Sequence, residues 1–254
     1  INWLDTDPRL GNKQKFIEMV EALHANGIRV IVDVVCNHSG MVFYYDINMN
    51  NEIDGGAGDD QSTNEWLRYW LGGSQFPEAV CKWVDKPWSP LVQPLQFRNL
   101  SWYRRMGCFH DYGDYDSEQR LKGDFFILRD LDTTKSEVIQ ALKDMWKYWI
   151  ELADIDGFRV DTIRFVDDSF WESWCQYIRD YSKLTLNKNR GFFIFGENFN
   201  YTPSVVGWDT QNTKFDSMLN FSFNDKLKRM LKNQERTQLF EEWYNYDRTN
   251  FSST

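Results

Sequence analysis

Apolar positions recur along the chain with two different periods, and these periods predict helices and strands. A helical period runs over residues 13–25, with Asn12 before it as the N-cap and Asn26-Gly27 after it as the stop. The same period recurs in three later segments: 136–152, about 168–181 and, less regularly, 225–243. We therefore predict four helical segments.

Short, nearly continuous apolar runs predict strands between these helices. They are Ile28–Val35, about Phe158–Val160, Gly191–Asn198 with its polar end and, less clearly, Phe215–Phe223. Continuous β-branched and aromatic runs are typical of strands that a parallel sheet buries on both faces. Because helices and strands alternate, we predict an α/β fold with a parallel sheet.

Residues 40–131 have a different character, rich in Trp, Tyr, Asp, Asn and Gly, and only 61–71 looks helical. A loop of that length without structure is improbable, so we predict an inserted subdomain at 40–131 within a main domain formed by 1–39 and 132–254. Inside the insertion, 46–54 resembles a calcium loop. Asn51 occupies the usual glycine position there, and a polar loop is the alternative.

Composition narrows the class of protein. The net charge of −9 argues against a nucleic-acid partner, and the first residues resemble neither a signal peptide nor a membrane span. We expect no organic cofactor. The four cysteines lack metal-type spacing, and Cys36 and Cys175 lie in apolar patterns that predict buried thiols. Aromatic residues make up 17% of the chain, which suits either core packing or stacking on sugar rings.

Three predicted strands end in carboxylates, namely Asp33, Asp161 and Glu197. The carboxyl ends of parallel strands open on one face, so these groups should converge. Arg159 precedes Asp161 by two positions and shares its side of the strand, where a guanidinium would keep the carboxylate ionised. Glu197 follows apolar residues and a glycine, which should raise its pKa. One protonated acid and one ionised nucleophile can cleave a glycosidic bond, while an ordinary ion pair at a strand end is the alternative.

These residues resemble the α-amylase family of glycoside hydrolases. Asp33–His38, Gly157–Asp161 and Gly196–Asn198 are similar to three of its sequence regions, in the family's order. Leu128–Thr133 resembles a fourth region, and Asp7–Gly11 fits the approach to the family's second barrel helix. The resemblance spans nearly the whole chain.

The resemblance implies a (β/α)8 TIM barrel, here incomplete with about strands 3 to 6, and a subdomain inserted after strand 3. It also implies a retaining mechanism on α-glucans or malto-oligosaccharides. Asp161 would be the nucleophile and Glu197 the acid and base, with Arg159 holding Asp161 ionised. His38 would donate a hydrogen bond to the sugar in the first subsite. Asp33 would hydrogen-bond around the site, and Arg164 would meet sugar hydroxyls.

The resemblance further implies a structural calcium ion. Asn37 and Asp130 match positions that bind calcium in many α-amylases, where the ion joins barrel and insertion. Two departures bear on this expectation. Arg129 replaces the commoner proline, and Phe165 stands where many members have a histidine whose carbonyl helps to bind the ion.

The family's final region, with its third catalytic aspartate, is not found in this sequence. We therefore expect the chain to be an internal part of a catalytic domain that is inactive alone. A secreted or periplasmic location is usual in the family. Alternatives to hydrolysis are transglycosylation, sugar isomerisation on the same carboxylates, or a non-catalytic amylase-like binding protein. Since Asp161 and Glu197 are both present, an enzyme is favoured.

Overall fold

The computed structural model of the chain describes residues 2–45, 80–83, 92–109, 118–185 and 191–251. Its helices are α1 Lys13–Ala25, α2 Glu118–Lys122, α3 Ser136–Ala153, α4 Asp168–Thr185, α5 Pro203–Asn212, α6 Phe221–Leu231 and α7 Gln238–Asn250. Its strands are β1 Ile31–Val34, β2 His38–Ser39, β3 Phe43–Tyr45, β4 Val80–Trp83, β5 Arg129–Asp130, β6 Gly157–Val160, β7 Phe193–Gly196 and β8 Ser217–Met218. Two compact units result, the first made of Ile1–Ile28 and Val35–Asp154 and the second of Arg29–Val34 and Ile155–Thr254.

The first unit contains the two helices that the sequence predicts most clearly. Helix α1 begins where the Asn12 side chain accepts a hydrogen bond from the Lys15 backbone N–H at 3.0 Å, as an N-cap should. It ends before Gly27, whose φ of +74° suits glycine. Helix α3 packs beside it, with the rings of Phe16 and Trp149 edge to face at 5.6 Å. Both predicted helices are confirmed.

Short antiparallel pairs complete the described part of the first unit. Strand β2 pairs with β5, placing His38 opposite Asp130, and β3 pairs with β4. The predicted helix at 61–71 and the calcium-like loop at 46–54 lie outside the described residues. The division of the chain at residues 40 and 131 stays a prediction.

The second unit is built on a four-stranded parallel sheet in the order β1-β6-β7-β8. One face is covered, because Phe158 packs at 5.7 Å from Trp174 of α4 and both side chains are buried. The other face is open, since Ile31 is 43% and Phe193 is 41% exposed. The expectation of strands buried on both faces is therefore wrong within this unit, because its described residues place a helix against one face of the sheet and leave the other exposed.

The end of the chain departs from prediction in three ways. The predicted strand at 215–223 shrinks to Ser217–Met218, because the Asn220 side chain caps a new helix by accepting from the Phe223 N–H at 2.8 Å. The predicted helical segment at 225–243 divides into α6 and α7. Helix α5 was not predicted, since its apolar residues do not follow a clear stripe.

Among the described residues, no helix is long and apolar enough to cross a membrane.

Candidate active site

The candidate site lies at the carboxyl edge of the parallel sheet, just past the last residues of β6 and β7. The Asp161 N–H donates to the Val34 carbonyl at 2.9 Å, and the Glu197 N–H donates to the Val160 carbonyl at 2.8 Å. The strand-to-strand bonding thus continues one residue beyond each strand. Both carboxylates are held by backbone that belongs to the sheet, so their positions are set by a rigid element.

Arg159 connects the carboxylates of three neighbouring chain segments. Its Nη1 donates to Asp33 Oδ1 at 2.8 Å and to Asp161 Oδ1 at 2.9 Å. Its Nη2 lies 2.9 Å from Glu197 Oε2. The side chains of Arg159, Asp161 and Glu197 are each 22% exposed, whereas Asp33 is 63% exposed. The structure therefore brings together Asp33, Arg159, Asp161 and Glu197, with the last three partly shielded from water.

The pKa of Glu197 is raised above its usual value. Burial is the largest cause, and a hydrogen bond with Asp161 and that group's charge add to it, while Arg159 acts in the opposite direction. Burial works against the charge on Arg159, but its hydrogen bond to Asp33 and the nearby carboxylates raise the Arg159 pKa overall. A permanent cation therefore stands beside a carboxyl group that holds its proton more tightly than usual.

The turn after Asp161 is hydrogen-bonded to the segment that carries Glu197. Thr162 adopts a left-handed φ of +50°, and residues 163–165 form a single 3₁₀ turn. The Ile163 N–H donates to the Glu197 carbonyl at 3.2 Å, which ties this turn to the segment that carries the second carboxylate. Arg164 lies on the same turn, with its guanidinium 5.2 Å from the ring centroid of Phe165.

Two features next to Glu197 were missed by the sequence reasoning. The Asn198 side chain donates to Asp209 Oδ2 of α5 at 2.7 Å, and both residues are buried. Phe199 and Tyr201 are 55% and 52% exposed, and Phe199 packs against Phe221 at 4.8 Å. The Phe-Asn-Tyr pattern after Glu197 was a usable signal, because large aromatic side chains directly after a strand-end carboxylate are unusual for a solvated loop.

The remaining predicted site residues belong to the first unit. His38 is 9% exposed, its ring stacks on Phe125 at 5.9 Å, and its Nδ1 lies 3.2 Å from the Asn37 amide nitrogen. The Asn37 carbonyl accepts from the Leu131 N–H at 2.9 Å. Asp130 is buried at 2% exposure. His38 and Asp130 are thus opposite each other in the β2–β5 pair, and Asn37 directly precedes β2.

Comparison with known proteins places this chain in a family. The family model described as "Alpha amylase, catalytic domain" matches residues 1–253. An α-amylase from Streptomyces lividans is 31% identical over 238 residues, which cover 88% of this chain and 25% of that protein. A cyclomaltodextrin glucanotransferase from Klebsiella oxytoca is 30% identical over 233 residues, 89% of this chain and 30% of that protein.

A solved structure shows the same fold. The α-amylase from Geobacillus thermoleovorans, complexed with acarbose, matches 99% of this chain with a TM-score of 0.68 at 19% identity. The chain spans 44% of that solved chain, and about a quarter to a third of the two curated proteins.

Proposed function

This chain belongs to the α-amylase family of catalytic domains, and we propose that the full-length protein cleaves α-glucosidic linkages of starch-like glucans or malto-oligosaccharides with retention. One observation carries the proposal. Arg159 contacts both Asp161 and Glu197 at 2.9 Å, so the two carboxyl groups face the same small volume, and the pKa of Glu197 is raised there by burial first of all. Retaining glycosidases need such a pair close together on the two sides of one bond.

In the first step, Asp161 attacks the anomeric carbon and forms a carbon–oxygen bond while the glycosidic carbon–oxygen bond breaks. Glu197 gives its proton to the leaving oxygen, and its raised pKa favours the protonated form that this step requires. In the second step, water attacks the same carbon, Asp161 leaves as a carboxylate, and Glu197 takes the water proton. Arg159 stabilises the negative charge on Asp161 before the first step and as that charge returns in the second step.

We assign supporting roles to the other predicted residues. Asp33 accepts two hydrogen bonds from Arg159, which orients that guanidinium. His38 and Arg164 are proposed to contact sugar hydroxyls. The four parallel strands are proposed to be strands 3 to 6 of a (β/α)8 barrel, with residues 40–131 as a subdomain inserted after strand 3. By the same resemblance, we place the protein in a secreted or periplasmic location.

Transfer to a sugar acceptor is the second candidate reaction, and the exposed aromatic pair after Glu197 favours it. Phe199 and Tyr201 present about half of their surface to solvent, next to the group that must activate the incoming acceptor. Aromatic faces stack on sugar rings and exclude water, which raises the local concentration of acceptor over water. Phe199→Ser in the full-length protein should therefore lower the ratio of transfer to hydrolysis products, measured by chromatography.

The test of the main proposal uses the full-length protein and a fluorinated glucosyl probe with fluoride as leaving group. We expect a covalent label on Asp161, located by digestion and mass spectrometry, and none in Asp161→Asn. Glu197→Gln should still be labelled, because fluoride departs without a proton from the enzyme. Asp216→Asn, which removes a second-unit carboxylate paired with Arg179, is the matched control. A label on another residue, or no label together with no turnover of starch and maltosides, would contradict the proposal.

A further inference from the structure

The first unit contains three buried arginine side chains, and two of them, Arg129 and Arg104, each face a buried aspartate. Arg129 is 1% exposed, and its Nη1 donates to Asp124 Oδ2 at 2.8 Å, a group that is also 1% exposed. Its Nε donates to the Phe43 carbonyl at 3.0 Å, and its guanidinium carbon lies 4.7 Å from the Tyr45 ring centroid. Arg129 thus connects β5 with β3 and with the segment that carries Asp124.

Arg104 forms ion pairs with the next two acidic residues, and the pair between its Nε and Asp130 Oδ2 is not a hydrogen bond. Its Nε lies 3.3 Å from Asp130 Oδ2, and its Nη2 lies 3.5 Å from Asp132 Oδ1. Its own N–H donates to the Asp130 carbonyl at 3.1 Å. Arg104 is 8% exposed and Asp130 is 2% exposed, so this ion pair is screened very little by water.

The Asp124 carboxylate also accepts hydrogen bonds from neighbouring segments. Asp124 Oδ1 accepts from the Asp130 N–H at 3.0 Å, and Asp124 Oδ2 accepts from the Tyr45 hydroxyl at 2.7 Å. We call the set Arg104, Asp124, Arg129, Asp130 and Asp132 the arginine cluster. It joins the segments around residues 43–45, 104 and 124–132 through charged groups, much as a bound cation would.

Among the residues that the structure describes, the donor set at this place does not fit calcium. Calcium binds about six to eight oxygen atoms. Of the two predicted ligands, Asp130 faces the Arg104 guanidinium at 3.3 Å, and the Asn37 amide nitrogen is directed to His38. A divalent cation on the Asp130 carboxylate would be repelled by a guanidinium at that distance.

We propose that Arg104 and Arg129 take the place of a structural calcium ion, so that guanidinium groups neutralise Asp130 and Asp124 and join these segments. A guanidinium is always charged and offers five N–H donors in a fixed plane, which suits several carboxylate and carbonyl oxygens at once. The consequence is that the stability of this region does not depend on calcium. This inference concerns stability, so it does not rest on the proposed reaction.

The first experiment compares the melting temperature of the full-length protein in EGTA and in excess calcium, for the wild type and for Asp130→Asn. The quantity that decides is the gain in Tm that calcium produces. We expect no gain, or the same gain in both proteins from an ion bound elsewhere. A site filled at a hundredfold excess over its Kd would raise Tm by roughly 5 °C or more. A gain of that size in the wild type that disappears in Asp130→Asn would overturn the proposal.

The second experiment is a double-mutant cycle with Arg104→Met and Asp130→Asn, carried out in EGTA. Arg104→Met leaves the buried Asp130 carboxylate without this charge partner, and Asp130→Asn leaves Arg104 with Asp132 at 3.5 Å; each variant should lower Tm by roughly 5–15 °C. The double variant should lose clearly less than the sum of the two. An additive double variant would contradict the proposal. The matched control is the exposed pair Lys15 and Glu18 at 2.6 Å, where Lys15→Met should change Tm by about 2 °C or less.

Milder variants keep the test decisive if a buried charge deletion does not fold. Arg104→Lys retains the positive charge and should recover most of the stability lost in Arg104→Met. Asn37→Ala removes the other predicted calcium ligand and can replace Asp130→Asn in the first experiment. A calcium gain that Asn37→Ala abolishes would overturn the proposal, and an unchanged gain would support it.

Discussion

The guanidinium of Arg159 contacts the three carboxylates at the strand ends of the second unit. If Asp33, Asp161 and Glu197 were all ionised, three negative charges would face the one positive charge of Arg159. Such an excess favours protonation of the member that is most costly to ionise, and the raised pKa of Glu197 agrees with this. At the residue scale, charge and burial therefore support the proposed division between acid and nucleophile.

We expect Glu197→Gln to gain stability relative to the wild type as the pH rises. The Glu197 pKa is higher in the folded than in the unfolded protein, so the folded state loses stability as the pH rises from the unfolded toward the folded pKa. Gln carries no such charge, so the difference in Tm should be small in acid and should grow toward neutral pH. Thermal unfolding of the full-length protein from pH 4 to 7 measures it.

The same variant should lose roughly 10²–10⁴-fold in kcat on substrates that need a proton on the leaving group. The control is Glu21→Gln, which removes an exposed carboxylate of α1 and should give a flat Tm difference across the pH range. A Tm difference that shrinks toward neutral pH would contradict the assignment of the acid.

We expect Arg159→Met to move the alkaline limb of the activity profile to higher pH. Arg159 lowers the pKa of Glu197, so its removal lets Glu197 keep its proton to a higher pH. Activity itself should fall by roughly 10²–10³-fold, because Asp161 loses its charge partner. The measurement is kcat/KM against pH. Arg179→Met, which breaks the ion pair with Asp216 at 2.9 Å, should leave the limb in place, and an acid shift in Arg159→Met would refute the argument.

At the scale of elements, close contact between strands decides which residues β6 can carry. Gly157 pairs with Phe193, and a Cβ on Gly157 would lie 2.2 Å from the Phe193 carbonyl oxygen. Only glycine allows the strands to approach so closely at the start of the β6–β7 pair. Arg159 lies two residues after Gly157 on β6, and Asp161 and Glu197 follow the ends of β6 and β7. The geometry of the site therefore depends on how closely these two strands approach.

Gly157→Ala should therefore destabilise the protein by roughly 1–3 kcal/mol and should also lower kcat, because it pushes β6 away from β7. Gly191→Ala is the matched control, since a Cβ there would meet no atom of the described residues within 4 Å. Its free energy of unfolding should change by less than about 0.5 kcal/mol. Chemical denaturation of both variants measures the difference. Equal effects would show that the Phe193 contact is not what requires glycine.

At the scale of the whole molecule, the open face of the parallel sheet is the informative feature. Ile31 and Phe193 expose apolar surface there, on the same face of the sheet as Asp33 and Arg159. Apolar strand residues on an open face are costly in water, and a closed barrel would cover them with side chains of its other strands. This is the reason to read the sheet as part of a larger barrel.

Phe193→Gln should therefore lower the stability of the full-length protein by roughly 2–4 kcal/mol, as expected for a core aromatic. Leu184→Gln changes a side chain that is 78% exposed on α4, and should cost less than about 0.5 kcal/mol. If Phe193→Gln is as mild as Leu184→Gln in the full-length protein, the open face is not covered and the barrel proposal fails.

The sequence by itself determined the α/β alternation, helices α1 and α3, and the carboxylates at the strand ends. These features follow from local periodicity, capping residues and the position at which an apolar run stops, all of which can be read within a few residues. The family resemblance rests on the same short motifs. The end of the chain was predicted less well, because the Asn220 cap competes with the apolar pattern of 215–223 and starts a helix there.

Only the tertiary structure decided which partners the charged groups have. Arg159 meets Asp33 across 126 positions of sequence, and Arg129 meets the Phe43 carbonyl across 86. It also decided that one face of the sheet is covered and that Arg104 faces Asp130. The physical reason is that ion pairing and burial depend on distances between segments that folding brings together, and no local pattern encodes those distances.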